Sequence, residues 1–141
     1  QIVQTGDAVI INVEMMHDAR IIRLGEAHKA EPLHQWLGDS VGRWEGDTLV
    51  VETTHIPYEQ QYMGAWKDLK VTERFRRVAH DRLYYGFTIE DPTLWDEPWG
   101  GEYEFAALND RVHEYACHEG NYSLPGILRG AREQERLERQ R

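Results

Sequence analysis

Along most of the chain the side chains change character every second residue, in short runs broken by turn-forming residues. That two-residue period is the signature of half-buried β-strands. "QIVQTG" opens the chain as a strand-like run. "AVIINVEMM" and "DARIIRL" follow as two strands turning near His17 and Asp18. In "SVGRWEGDTLVVETTHI" the pair Gly46-Asp47 separates two strand-like runs, a clear hairpin signal. "VTERFRRV" and "RLYYGFTIE" form a further hairpin across 79–81, and "EYEFAAL" and "VHEYACHE" another across Asn109-Asp110. About eight strands in consecutive hairpins, without helical crossovers, predict an all-β fold. Its expected form is an antiparallel up-and-down barrel of the calycin or lipocalin type, with a short C-terminal helix.

The intervals between runs are less regular. Residues 25–39 are loose, with one helical turn expected over 33–37. Residues 57–70 make a long connection carrying Tyr58, Tyr62 and Trp66, which suits a lid or pocket wall. Residues 120–129 read as irregular, and "GAREQERLERQR" as a charged helix or tail. The expected organisation is one barrel domain over 1–130 and a charged segment over 131–141.

The alternation assigns faces, and some faces mix charge with apolar residues. In "VTERFRRV", Glu73 shares a face with Val71 and Phe75, so it is expected to point inward, while Thr72, Arg74 and Arg76 point to water. Glu52 aligns with Val50, and Glu14 with Ile10 and Met16. His17 aligns with Ile11, Val13 and Met15, and Glu114 and His118 with Val112 and Ala116. A carboxylate in an apolar interior must be protonated, paired or wet. Arg20, Arg74, Arg77, His17 and His118 are the available partners. Two readings stay open: internal ion pairs that fix strand register, or a polar patch in a cavity suited to acid–base chemistry.

Composition narrows the partners. A net charge of −9 over 141 residues opposes binding to nucleic-acid phosphates. No run of 18 apolar residues exists in the sequence, so no helical membrane insertion is expected. Cys117 is the single cysteine and forms no internal disulfide. Five Trp and seven Tyr are many for this length, and such rings line pockets for flat or apolar ligands. Trp44, Tyr62, Trp66, Tyr85, Trp95 and Trp99 are the candidate ligand-binding aromatics. The plain alternative has Trp44 plugging a barrel end and Trp95 and Trp99 covering a corner.

Other chemistries have weaker signals. No metal motif is present, so no cofactor is expected; a metal held by His17, His118 and Glu119 is the alternative. His28, His34, His55 and His80 fall in loop-like stretches and are expected to be exposed. "GDSVG" around Ser40 fits the letters of a nucleophile elbow, but a hairpin rather than a strand–turn–helix surrounds it, so it is read as a chance match. Cys117 is expected to be an inert thiol.

The segments "HDARII", "GDSVGRWEGDTLVVETT", "ERFRRV", "EDPTLW" and "EYACHEGNY" resemble a large group of uncharacterised bacterial proteins. The resemblance runs from Ile2 to Arg132. Members of that group are typically longer, with this segment as their C-terminal half, and secreted or periplasmic. The resemblance implies an extracytoplasmic location and a chain that is part of a longer one; it implies no activity. Matching positions include Glu14, His17, Arg20, Trp44, Glu52, Glu73, Arg74, Glu114, His118 and Glu119.

Two small-molecule functions are therefore expected in competition, beside a third reading in which the chain is an accessory domain whose polar interior is purely structural and whose surface binds a protein. One is a small-molecule enzyme of the isomerase, lyase, cyclase or hydrolase kind. In it Glu14 or Glu73 acts as base and His17 or His118 as acid, Arg20 or Arg74 steadies negative charge, and Glu52 and Glu114 complete the set. The other is a non-catalytic, calycin-like module for an apolar or aromatic ligand. Either takes a small organic molecule as partner, and a homo-oligomer is compatible with both.

Overall fold

The computed structural model describes residues 1–30, 35–116, 120 and 122–140. Eight strands form one sheet in chain order. They are β1 (Ile2–Gln4), β2 (Ala8–Asn12), β3 (Ala19–Leu24), β4 (Asp39–Glu45), β5 (Thr48–Thr54), β6 (Lys70–Ala79), β7 (Arg82–Glu90) and β8 (Trp99–Ala106). The sheet curls into a half-barrel. Helix α1 (Ser123–Glu138) follows it.

The mostly-β class and the single C-terminal helix match the sequence pattern, but the all-antiparallel closed barrel needs correction. β3 and β4 are parallel, with Ile22 opposite Ser40, and every other neighbouring pair is antiparallel. A parallel pair needs a crossover of about a dozen residues or more, and the fourteen residues 25–38 between β3 and β4 are long enough to supply it. Among the described residues no pairing joins β8 back to β1, so the sheet is open.

Three local expectations also change. Residues 111–116 are not a strand; the His113 and Tyr115 N–H groups go to the Glu14 and His17 side chains rather than to a strand edge. The strand-like run through Glu14 ends at Asn12, and Met15–His17 form a single 3-10 turn with Met16 and His17 at positive φ. The helix starts at Ser123 rather than 131. Pro125 sits in its first turn, where the missing N–H costs nothing.

Alternation explains the core. The concave side carries Val9 and Ile11 of β2, Ile22 and Leu24 of β3, Leu49 and Val51 of β5, and Phe75 of β6, which pack as one cluster. Burying such side chains is worth roughly 1.5–3 kcal/mol each. Gly42 lets β3 approach: a Cβ there would lie 2.7 Å from Ile22 Cγ2. The convex side is a charged ladder. Arg43 Nη1 donates to Glu52 Oε1 at 2.7 Å, Lys70 pairs with Glu90, and Arg76 stacks over Tyr84.

Candidate functional site

The curl leaves a trough on the concave side. Its cavity measures about 1240 Å³ and opens to solvent. Alternate residues at the ends of β6, β7 and β8 nearest the 80–81 turn face into it, which brings Phe75, Tyr85, Tyr103 and Phe105 onto one wall. Their rings touch in series: Phe75 to Tyr85 at 5.0 Å, Tyr85 to Tyr103 at 5.3 Å, and Tyr103 to Phe105 at 4.8 Å between centroids. Ile2 and Ile11 face them from the other side. Tyr103 is 50% exposed and Phe105 44%. Phe75 and Tyr85 are half-buried, and Phe75 packs on the core cluster, so the exposed part of the wall is Tyr103 and Phe105.

The floor is polar. Arg20 of β3 reaches across β4 and β5 to Glu73 of β6, which is only 5% exposed. Arg20 Nη1 donates to Glu73 Oε1 at 3.0 Å, and Arg20 Nη2 pairs with Glu73 Oε2. On the way Arg20 Nε donates to Ser40 Oγ at 2.9 Å and Nη2 to Thr53 Oγ1 at 2.6 Å. Ser40 and Thr53 share a further hydrogen bond at 2.9 Å. From β7, Tyr85 Oη donates to Glu73 Oε1 at 3.0 Å. Burial, then the Glu73 charge beside it, push the Tyr85 phenol well above its ordinary range. It stays a donor at any physiological pH. Both Glu73 oxygens are thus engaged.

The other expected residues separate. Glu14 lines the trough rim, where its Oε2 accepts from the His113 N–H at 3.3 Å. His17 Nε2 accepts from the Tyr115 N–H at 3.1 Å. These two side chains therefore hold the segment after β8 against the β2–β3 connection. Glu52 and Arg74 lie on the convex face, away from the trough, because Val50 and Glu52 pair in register with Arg74 and Thr72. Glu114 is exposed. His118, and with it Glu119, Cys117 and His34, lies outside the described residues. Trp44 borders a separate void of about 150 Å³ beside the core. Tyr62 and Trp95 each meet Trp99 around the β7–β8 corner, at 5.9 Å and 5.7 Å between ring centroids. Trp66 packs on Tyr58. Of the six candidate aromatics, Tyr85 alone borders the main trough.

Residues the sequence reading passed over carry much of this site. Tyr103 and Phe105 share the face of Trp99 at intervals of two, so the same alternation points to them. Ser40 and Thr53 give no such signal, being ordinary strand hydroxyls. The "GDSVG" serine is 2% exposed and serves the Arg20 network.

A second cluster lies at the start of β4 and the end of β5. Asp39 is 1% exposed and holds four partners. Arg23 Nη2 donates to Oδ1 at 2.8 Å, with Gln35 Nε2 at 3.4 Å. The Lys29 N–H donates to Oδ2 at 2.8 Å, and His28 Nδ1 lies 2.9 Å from the same oxygen. Burial works to raise the Asp39 pKa, but the Lys29, His28 and Arg23 contacts outweigh it and hold the carboxyl below its usual value. His55 joins through Thr54, whose Oγ1 is 2.9 Å from His55 Nδ1 and 3.2 Å from His28 Nδ1. The expectation that His28 and His55 are simply exposed is corrected: both are half-buried and hydrogen-bonded.

No protein-family model, curated protein or solved structure matches the chain. Among the described residues, no helix is long and apolar enough to cross a membrane.

Proposed function

We propose that the trough is the binding site of a non-catalytic module for a small organic molecule with a flat apolar or aromatic portion. The observation that carries this reading is the aromatic wall of Phe75, Tyr85, Tyr103 and Phe105, exposed at Tyr103 and Phe105, above a polar floor whose groups already satisfy one another. A wall of that kind gains free energy when a ligand covers it. The floor favours binding over acid–base catalysis. Arg20 and Tyr85 fill three of the four lone-pair positions of the Glu73 carboxylate, which leaves little room to take up a substrate proton. Glu14 and His17 are engaged with backbone N–H groups at the rim and do not converge on Glu73. The resemblance to secreted bacterial proteins supports an extracytoplasmic setting for this carrier.

The test is fluorescence titration with the dye 1-anilinonaphthalene-8-sulfonate, followed by displacement with a panel of aromatic and aliphatic acids and alcohols. The expected result is saturable one-to-one dye binding, displaced by members of the panel. Tyr103→Ala and Phe105→Ala are each expected to weaken it about 10-fold, a loss of about 1.4 kcal/mol. Glu52→Gln, on the convex face, leaves it unchanged. Dye binding that ignores both trough substitutions would rule out the proposal. Turnover of any panel member, lost in Glu73→Gln with the fold intact, would replace it with the acid–base reading.

A further inference from the structure

The His28–Asp39–His55 cluster lies apart from the trough. Asp39 belongs to the strand face that carries Arg23 and Thr54, opposite the face of Ser40 and Thr53. One ligand-capable atom from each of His28, Asp39 and His55 lies within 4.8 Å of the others. The two imidazoles face each other at 6.0 Å between centroids, tilted by 55°. His55 is held at φ 54°, the left-handed region. For a residue other than glycine this backbone is uncommon, and it recurs where a side chain must be aimed at a site.

The hydrogen bonds assign roles within the cluster. Asp39 is saturated by Arg23, Gln35, the Lys29 N–H and His28, and the Arg23 charge offsets its own. It is therefore a poor direct ligand for a cation. It is well placed to fix an imidazole: with the Nδ1 proton of His28 shared with Asp39, His28 presents Nε2 as a lone-pair donor. Anchoring one ring nitrogen on a carboxylate is how metal-binding imidazoles are oriented. Thr54 gives His55 the same kind of anchor at its Nδ1.

We propose that His28 and His55 are the ligands of a transition-metal site, with Asp39 as the positioning residue for His28. Two nitrogens sharing one ion at about 2.1 Å each are at most about 4.2 Å apart. One nitrogen of the His28 ring lies within 4.8 Å of one nitrogen of the His55 ring, close to that span. An imidazole donor set favours zinc, nickel or copper over magnesium or calcium. With two protein ligands, water fills the remaining positions.

The experiment strips the full chain with a chelator, dialyses it, and titrates it with zinc and nickel by calorimetry, with magnesium as the contrast. One equivalent of zinc or nickel is expected to bind, and magnesium is not. His28→Ala and His55→Ala should each weaken binding at least about 10-fold, and Asp39→Asn about 10–100-fold. His80→Ala and His113→Ala, remote from the cluster, should leave it unchanged. If Asp39→Asn does not fold, as judged by circular dichroism, the two histidine variants still decide the matter. The proposal is overturned if no saturable one-to-one binding occurs, or if a folded His28→Ala/His55→Ala protein binds as the parent does.

Discussion

Arg20 and Glu73 are 53 positions apart in sequence, yet each is the other's main partner. Glu73 was legible as an inward carboxylate because Val71 and Phe75 fix the parity of its strand. Glu52 was not separable from it in the same way. Its strand has apolar residues on both faces, and Val50 is as fully buried as Val51, so the period gives no outward direction. His28 and His55 were illegible for a different reason: each lies in a loop, where no period exists, and Asp39 gathers them only in three dimensions. The Arg20–Glu73 pair also yields a sharp expectation. Removing one partner of a buried ion pair leaves the other charge uncompensated. Glu73→Gln is expected to lower the unfolding free energy by about 3–5 kcal/mol, seen in urea as a lower midpoint with an unchanged slope.

Strand existence was read from pattern with success because hairpin signals are local. Gly46-Asp47 joins β4 to β5 and residues 80–81 join β6 to β7, as their turn residues indicate. The parallel joint between β3 and β4 escaped notice, since what decides it is the path of the loop over 25–38 rather than a dipeptide. "VHEYA" alternates like a strand, but its His113 and Tyr115 N–H groups go to the Glu14 and His17 side chains, so the pattern produced no element. At the β7–β8 pairing, close approach is the controlling factor. A Cβ on Gly100 would fall 2.0 Å from the Phe87 carbonyl oxygen, an obstacle of rigid backbone. Gly100→Ala is therefore expected to destabilise the protein by about 1–3 kcal/mol and to perturb the rings that β8 supplies to the trough. Thermal unfolding and the near-ultraviolet circular dichroism of the aromatic wall read the two effects.

At the scale of the whole molecule the sheet stays open at β1 and β8, and side chains rather than ladder bonds draw its ends together. Glu14 and His17 grip the segment after β8, while Arg20 ties β3 to β6. β5 and β6 lie inside the sheet, with Val50 and Val51 wholly buried, whereas β1 is a three-residue edge strand with every residue exposed. The parallel joint pairs only three residues of β3 with β4, against seven pairs between β4 and β5. Short and exposed pairings open at lower free energy than long and buried ones. The consequence is an order of opening: the N-terminal strands detach before β5 and β6 do. Native-state amide exchange should show this directly, with β5 and β6 exchanging only through global unfolding and β2 and β3 through a lower-energy opening. Uniform protection across all of these strands would mean that the joint is as strong as the hairpins it connects.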